Sequence, residues 1–243
     1  MQFNKATATI LAMGLAALLT GCEAEQTEKD MLAEAQFCLD KATDSSSATA
    51  CMSKIDGLTS EKAYALRCAA GFIGAEVTSP ENLSNALNAI NGNAGAAGML
   101  SALSFPSMTA VNSTFSDCNK SGSAGMKLIA AMAKSATTLA SIAPMGSCGA
   151  DLSGCDTAEI TQSINDLITG LNANDPDAEA TVTSIVTSIQ TVYTSTCGSG
   201  TSTNDEICGQ ITSAVSNSGY DIATTDPNQL VAIGKELLQN WKN

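Results

Sequence analysis

The segment TVTSIVTSIQTVY, residues 181–193, poses the fold question in its sharpest form. Its β-branched residues favour an extended strand locally. Yet Val182, Ile185, Val186, Ile189, Val192 and Tyr193 recur at the three- and four-residue spacing of one helical face, and strict alternation fits worse. Periodicity outranks propensity here, because a helix is held mainly by burying its apolar face. The punctuation agrees. Ser79-Pro80, Asp175-Pro176 and Asp226-Pro227 each place a side-chain oxygen at N-cap and proline at the first helical position. Capping boxes are expected at Asp156 with Glu159, Thr203 with Glu206, and Asp226 with Gln229. The chain reads as helices near 27–42, 47–56, 60–76, 80–90, 94–104, 107–118, 123–142, 157–170, 176–196, 204–217 and 227–241. The expected fold class is all-α, a compact array of antiparallel helices.

Aromatic residues make up only 4% of the chain, so the interior has to be built from Ala, Leu, Ile, Val and Met. The run NAGAAGMLSAL (Asn93 to Leu103) is so small-sided that its helix has to pack closely against neighbours. Its two glycines, Gly95 and Gly98, each costing about 1 kcal/mol relative to alanine, leave it weak on its own. MKLIAAMAKSATTLASIAPM contains Lys127 and Lys134 and reads as a buried helix rather than a membrane span. The loop PMGSCGADLSGCD (Pro144 to Asp156) is the best candidate for a sub-boundary within one helical domain, residues 27–243.

The N-terminus carries an address. Lys5 precedes an apolar core, Ala6 to Leu19, that is too short to span a bilayer comfortably, which takes roughly 20 residues. The boundary Leu19-Thr20-Gly21-Cys22 resembles the lipobox of bacterial lipoproteins. That resemblance implies that residues 1–21 are a signal peptide and that Cys22 is acylated. It implies a tether, 22–26, that joins the anchor to the helical body. Glu23 stands where, in the sorting rule of enteric bacteria, inner-membrane retention prefers Asp, which points to the periplasmic face of the outer membrane. One acyl chain binds a membrane marginally and stable anchoring takes two or more, so a multiply acylated Cys22 would hold the chain there.

With Cys22 set apart for lipid, eight cysteines remain: Cys38, Cys51, Cys68, Cys118, Cys148, Cys155, Cys197 and Cys208. An even number in an exported chain reads as four disulfides. No C-x-x-C pair and no histidine are present, which argues against a zinc or iron–sulfur site, and no metal or cofactor is expected. Short flexible loops close at small entropic cost, so Cys148–Cys155 and Cys197–Cys208 are expected as local pairs. Cys38 and Cys51 flank the loop TDSSS and would face each other across a helix hairpin. That leaves Cys68–Cys118 by elimination, with Cys118–Cys148 as its competitor.

Charge and missing residue types narrow the function. After removal of residues 1–21 the chain has 10 basic and 24 acidic residues and a net charge of −14. Nucleic acid and anionic lipid surfaces are poor partners, since binding them needs clustered Lys and Arg. The absence of histidine removes Ser/His and Cys/His catalysis, and no S-x-x-K, G-x-S-x-G, P-loop or G-x-G-x-x-G is present. Paired carboxylates could act on sugars, but such clefts usually carry aromatic platforms, and Trp241 is the only tryptophan. NANDPDAE (Asn172 to Glu179) has oxygen ligands at alternate positions, as calcium prefers, yet lacks the glycine of an EF-hand loop, and helix capping explains Asp175. From Ser135 to Gly234 there is no Lys or Arg but there are eleven acids, of which Asp175, Asp177, Glu179, Asp205 and Glu206 are the candidate face for a cationic partner. The expectation is a noncatalytic envelope lipoprotein that binds the membrane through Cys22 and another envelope protein through an acidic helical surface. The alternative is a periplasmic small-molecule-binding lipoprotein with an apolar cavity between helices. A pocket lined by Met and Leu with one or two polar groups would favour the alternative.

Overall fold

The structure, a computed structural model, describes residues 27–78, 95–143, 157–197 and 205–242. Ten α-helices account for most of them, and no strand occurs among the described residues. They are α1 (27–39), α2 (Ser45–Met52), α3 (Glu61–Gly74), α4 (Gly95–Leu103), α5 (Met108–Lys120), α6 (Ala124–Ser141), α7 (Thr157–Asn172), α8 (Pro176–Thr196), α9 (Asp205–Ser218) and α10 (Pro227–Lys242). A 3₁₀ turn, Ser53–Ile55, follows α2. The all-α array expected from periodicity is the observed fold. The helix expected at 80–90 and the Cys148–Cys155 pair lie outside the described residues.

The caps explain where helices start. Asp175 Oδ1 accepts from the Asp177 N–H at 2.9 Å, with Pro176 opening α8. Ser60, Ser107 and Ser123 cap α3, α5 and α6 in the same way. Asp226 accepts from the Asn228 N–H at 2.9 Å, but its expected box partner Gln229 instead accepts from Thr224 Oγ1 at 2.6 Å. A reciprocal box does form at Asp44 with Ser47, where the third residue is serine rather than Glu or Gln. The β-branched segment 181–193 is helical throughout. Val182, Ile185, Val186 and Ile189 are buried on one face. On the rest of the helix Thr181, Thr187, Ser188 and Thr191 each donate to the carbonyl four residues back, which satisfies their hydroxyls without a strand.

Burial divides into three apolar clusters along the chain. The first joins α1, α2 and α3 through Ala35, Leu39, Ala48, Ile55 and Leu66. The second joins α3, α5 and α6 through Phe72, Phe105, Val111 and Ala130. The third and largest joins α4 and α6–α10, with Trp241 among its fully buried residues. Two helices are shared, α3 between the first pair and α6 between the second. That position explains why α6 is buried on nearly every side from Leu128 to Ala140. The weak glycine-rich α4 is held as its composition requires, between α6, α7 and α10.

Each cluster carries one disulfide. Cys38–Cys51 ties α1 to α2, Cys68–Cys118 ties α3 to α5, and Cys197–Cys208 ties the end of α8 to α9, with Cα–Cα distances of 5.5, 4.8 and 5.4 Å. These are the pairs that spacing and elimination predict. At the α3–α5 crossing a methyl group on Gly71 would overlap Thr114 Oγ1, so the glycine sets how closely the two helices approach. Gly234 does the same for α10 against Val182 of α8.

Candidate functional site

An apolar concavity lies where α1, α3, α4 and α6 meet. It is a groove of about 630 Å³ whose apolar wall includes Leu39, Phe72, Ile73, Leu103, Met126 and Ile129. Helical periodicity delivers these side chains: Phe72 and Ile73 come from the last turns of α3, Met126 and Ile129 from the first turns of α6 at a three-residue spacing. Phe72 is buried and fixed edge-on against Phe105, with ring centroids 5.4 Å apart. Ile129 is 44% exposed, an unusual position for isoleucine, and marks the open side. Among the described lining residues, Asp40 and Thr78 alone have side chains with hydrogen-bonding oxygens. Asp40 Oδ1 accepts from Gln36 Nε2 at 2.7 Å, and no Lys or Arg lines the groove among the described residues. A site of this size and polarity suits an apolar small molecule.

Nothing in the sequence marks these residues. Leu39, Phe72, Leu103 and Met126 sit at the same helical spacing as residues that fill the core. Only the packing of four helices shows that their side chains surround open space.

The candidate acids of the cationic-partner face sit at two helix starts. Asp175, Asp177 and Glu179 sit at the start of α8, whereas Asp205 and Glu206 open α9, which Cys197–Cys208 fastens to the other end of α8. With 21 residues, α8 is about 30 Å long, so the two groups stand at its opposite ends. The candidate acids therefore lie at two helix starts, because Cys197–Cys208 fastens the first turn of α9 beside the end of α8. In NANDPDAE, Asn172 Oδ1 accepts from Lys235 Nζ at 2.7 Å and Asp175 caps α8. No cluster of three or more metal-ligating side chains occurs among the described residues.

Other polar groups are committed to structure. Arg67, the only arginine, donates from Nη2 to the carbonyls of Ile55 and Leu58 at 2.9 and 2.8 Å, closing the 3₁₀ turn onto α3. Partial burial raises the Asp117 carboxyl above its ordinary value, with Arg67 and Lys120 opposing the shift. Burial likewise lowers Lys134, whose ammonium lies 4.7 Å from the Phe115 ring centre. Trp241 is buried in the core, so its ring is packing and not a sugar platform. No helix among the described residues is long and apolar enough to cross a membrane.

The chain matches no protein-family model, no curated protein and no solved structure.

Proposed function

We propose that the chain is a noncatalytic lipoprotein of the bacterial cell envelope, anchored through acylated Cys22, whose helical body binds an apolar small molecule in the groove between α1, α3, α4 and α6. The groove carries this reading: a 630 Å³ apolar concavity with two polar side chains at its wall is the arrangement expected of a ligand site. The anchor rests on Leu19-Thr20-Gly21-Cys22 at the end of an apolar run. A five-residue tether, 22–26, could span at most about 18 Å, which would keep the body close to the bilayer. Outer-membrane placement, facing the periplasm, is part of the same proposal.

Two experiments test it. Cys22→Ala is expected to abolish palmitate incorporation and processing at residue 22, and a mature N-terminus elsewhere would sink the anchor. The intact protein in phosphatidylcholine nanodiscs is expected to take up the neutral probe N-phenyl-1-naphthylamine saturably, one per chain, above empty nanodiscs. Linear partitioning alone would sink the groove reading.

A second reading, docking of a cationic envelope protein, is favoured by one observation: residues 135–234 carry eleven acids and no basic residue. Its candidate residues are Asp175, Asp177 and Glu179 at the start of α8 and Asp205 and Glu206 at the start of α9.

A further inference from the structure

The chemistry of the groove narrows its ligand beyond "apolar". Among the described residues the wall is almost wholly aliphatic: Phe72 is the one ring they supply, and that ring is already engaged edge-on by Phe105. Flat aromatic ligands usually find stacking partners, and this wall offers none beyond Phe72. A flexible alkyl chain needs only continuous aliphatic surface, which Leu39, Ile73, Leu103, Met126 and Ile129 supply.

The polar end is just as selective. Asp40 is exposed at the end of α1, beside buried Leu39, and therefore stands at the mouth of the groove. Its neighbour Lys41 lies over the Phe37 ring, with Nζ 3.7 Å from the ring centre, and is not among the lining residues. A carboxylate or phosphate head group would meet Asp40 with no cation among the described lining residues to offset the repulsion. An ammonium head would meet a carboxylate and the Thr78 hydroxyl. The net charge of −13 acts in the same direction at longer range. We infer that the groove takes a single-chain alkyl amphiphile with a cationic head group, its chain along the aliphatic wall and its ammonium at Asp40. The inference rests on the reading of the groove as a ligand site.

The test uses the intact protein in phosphatidylcholine nanodiscs and two photoreactive probes of equal chain length, a diazirine-bearing dodecylammonium and the matching dodecanoate. Labelled peptides are mapped by mass spectrometry. The ammonium probe is expected to label the peptides carrying Leu103, Met126 and Ile129 saturably. It should do so about two- to fivefold more tightly than dodecanoate, the range of an exposed ion pair. Asp40→Asn should remove that preference, while Asp177→Asn, on α8 and outside the groove, should leave it intact. Ala69→Leu, at a half-exposed lining position, should weaken labelling by both probes at least roughly tenfold by overfilling the wall, with helix content unchanged. Equal labelling by the two probes, or an equal effect of Asp40→Asn and Asp177→Asn, would overturn the head-group assignment while leaving a groove that binds alkyl chains. Labelling spread over the surface and indifferent to Ala69→Leu would overturn the groove reading along with it.

Discussion

Single residues in this molecule show how far local environment outweighs residue type. Asp44 and Asp117 are both aspartates, yet their carboxyls shift in opposite directions. Hydrogen bonds from Ser47, backbone first and then side chain, lower Asp44, whereas burial raises Asp117. For Asp44 the folded value lies below the unfolded one, so its contribution is present above pH 3.8 and is lost as pH falls through the folded value. For Asp117 the folded value lies above the unfolded one. The folded chain then holds the proton more tightly, and stability falls as pH rises from below 3.8 through the folded value. Asp117→Asn is therefore expected to raise the melting temperature at neutral pH, with the gain fading below pH 3.8; calorimetry from pH 3 to 7 checks the sign. A melting temperature lowered by this substitution at pH 7 would mean that the attraction to Arg67 and Lys120 outweighs burial. The Asp175 cap was legible because Asp-Pro at a helix start has one physical meaning. The Asp44 box was not, since Ser47 lacks the long side chain that marks such boxes.

Among elements, the α3–α5 crossing is fixed twice, by Cys68–Cys118 and by the missing side chain of Gly71 one turn further along. Alanine in place of glycine inside a helix is ordinarily worth about 1 kcal/mol of added stability. Here the added methyl would overlap Thr114 Oγ1, and overpacking of this kind costs about 1–3 kcal/mol. Gly71→Ala is expected to destabilise on balance. The double variant Gly71→Ala with Thr114→Ala should recover most of the loss, because the second change removes the overlapping atoms. Urea denaturation of the two single variants and the double variant measures the coupling, and additive effects would show that the two residues do not meet. Glycine inside a helix is read from sequence as weakness. Its use as a spacer appears only when the facing helix is known.

At the scale of the whole molecule, three modest cores replace one large one, and each is tied by its own disulfide. Scarce aromatics and small side chains limit what each core buries, which makes covalent staples the natural supplement. The staples differ in reach, with separations of 13, 50 and 11 residues. In the chain-entropy model removing Cys68–Cys118 should cost about 4 kcal/mol, and either of the other two about 3 kcal/mol. Paired Cys→Ala variants compared in urea test that order, and a larger loss from Cys38–Cys51 than from Cys68–Cys118 would contradict it. Much of this architecture is written locally. Helical period, N-cap residues and proline placed the starts of α2, α3, α5, α6, α8 and α10 to within about two residues, because these signals act within one turn of the chain. Cysteine spacing led to the three observed pairs, since short loops and a hairpin register leave few alternatives. Tertiary structure alone decided three other things. It separated Asp175, Asp177 and Glu179 from Asp205 and Glu206, gave Asn172 its partner Lys235, and left the groove open beside Phe72, Leu103 and Met126. Each depends on which faces of distant helices meet, and an apolar side chain that lines a cavity has the same helical spacing as one that fills a core.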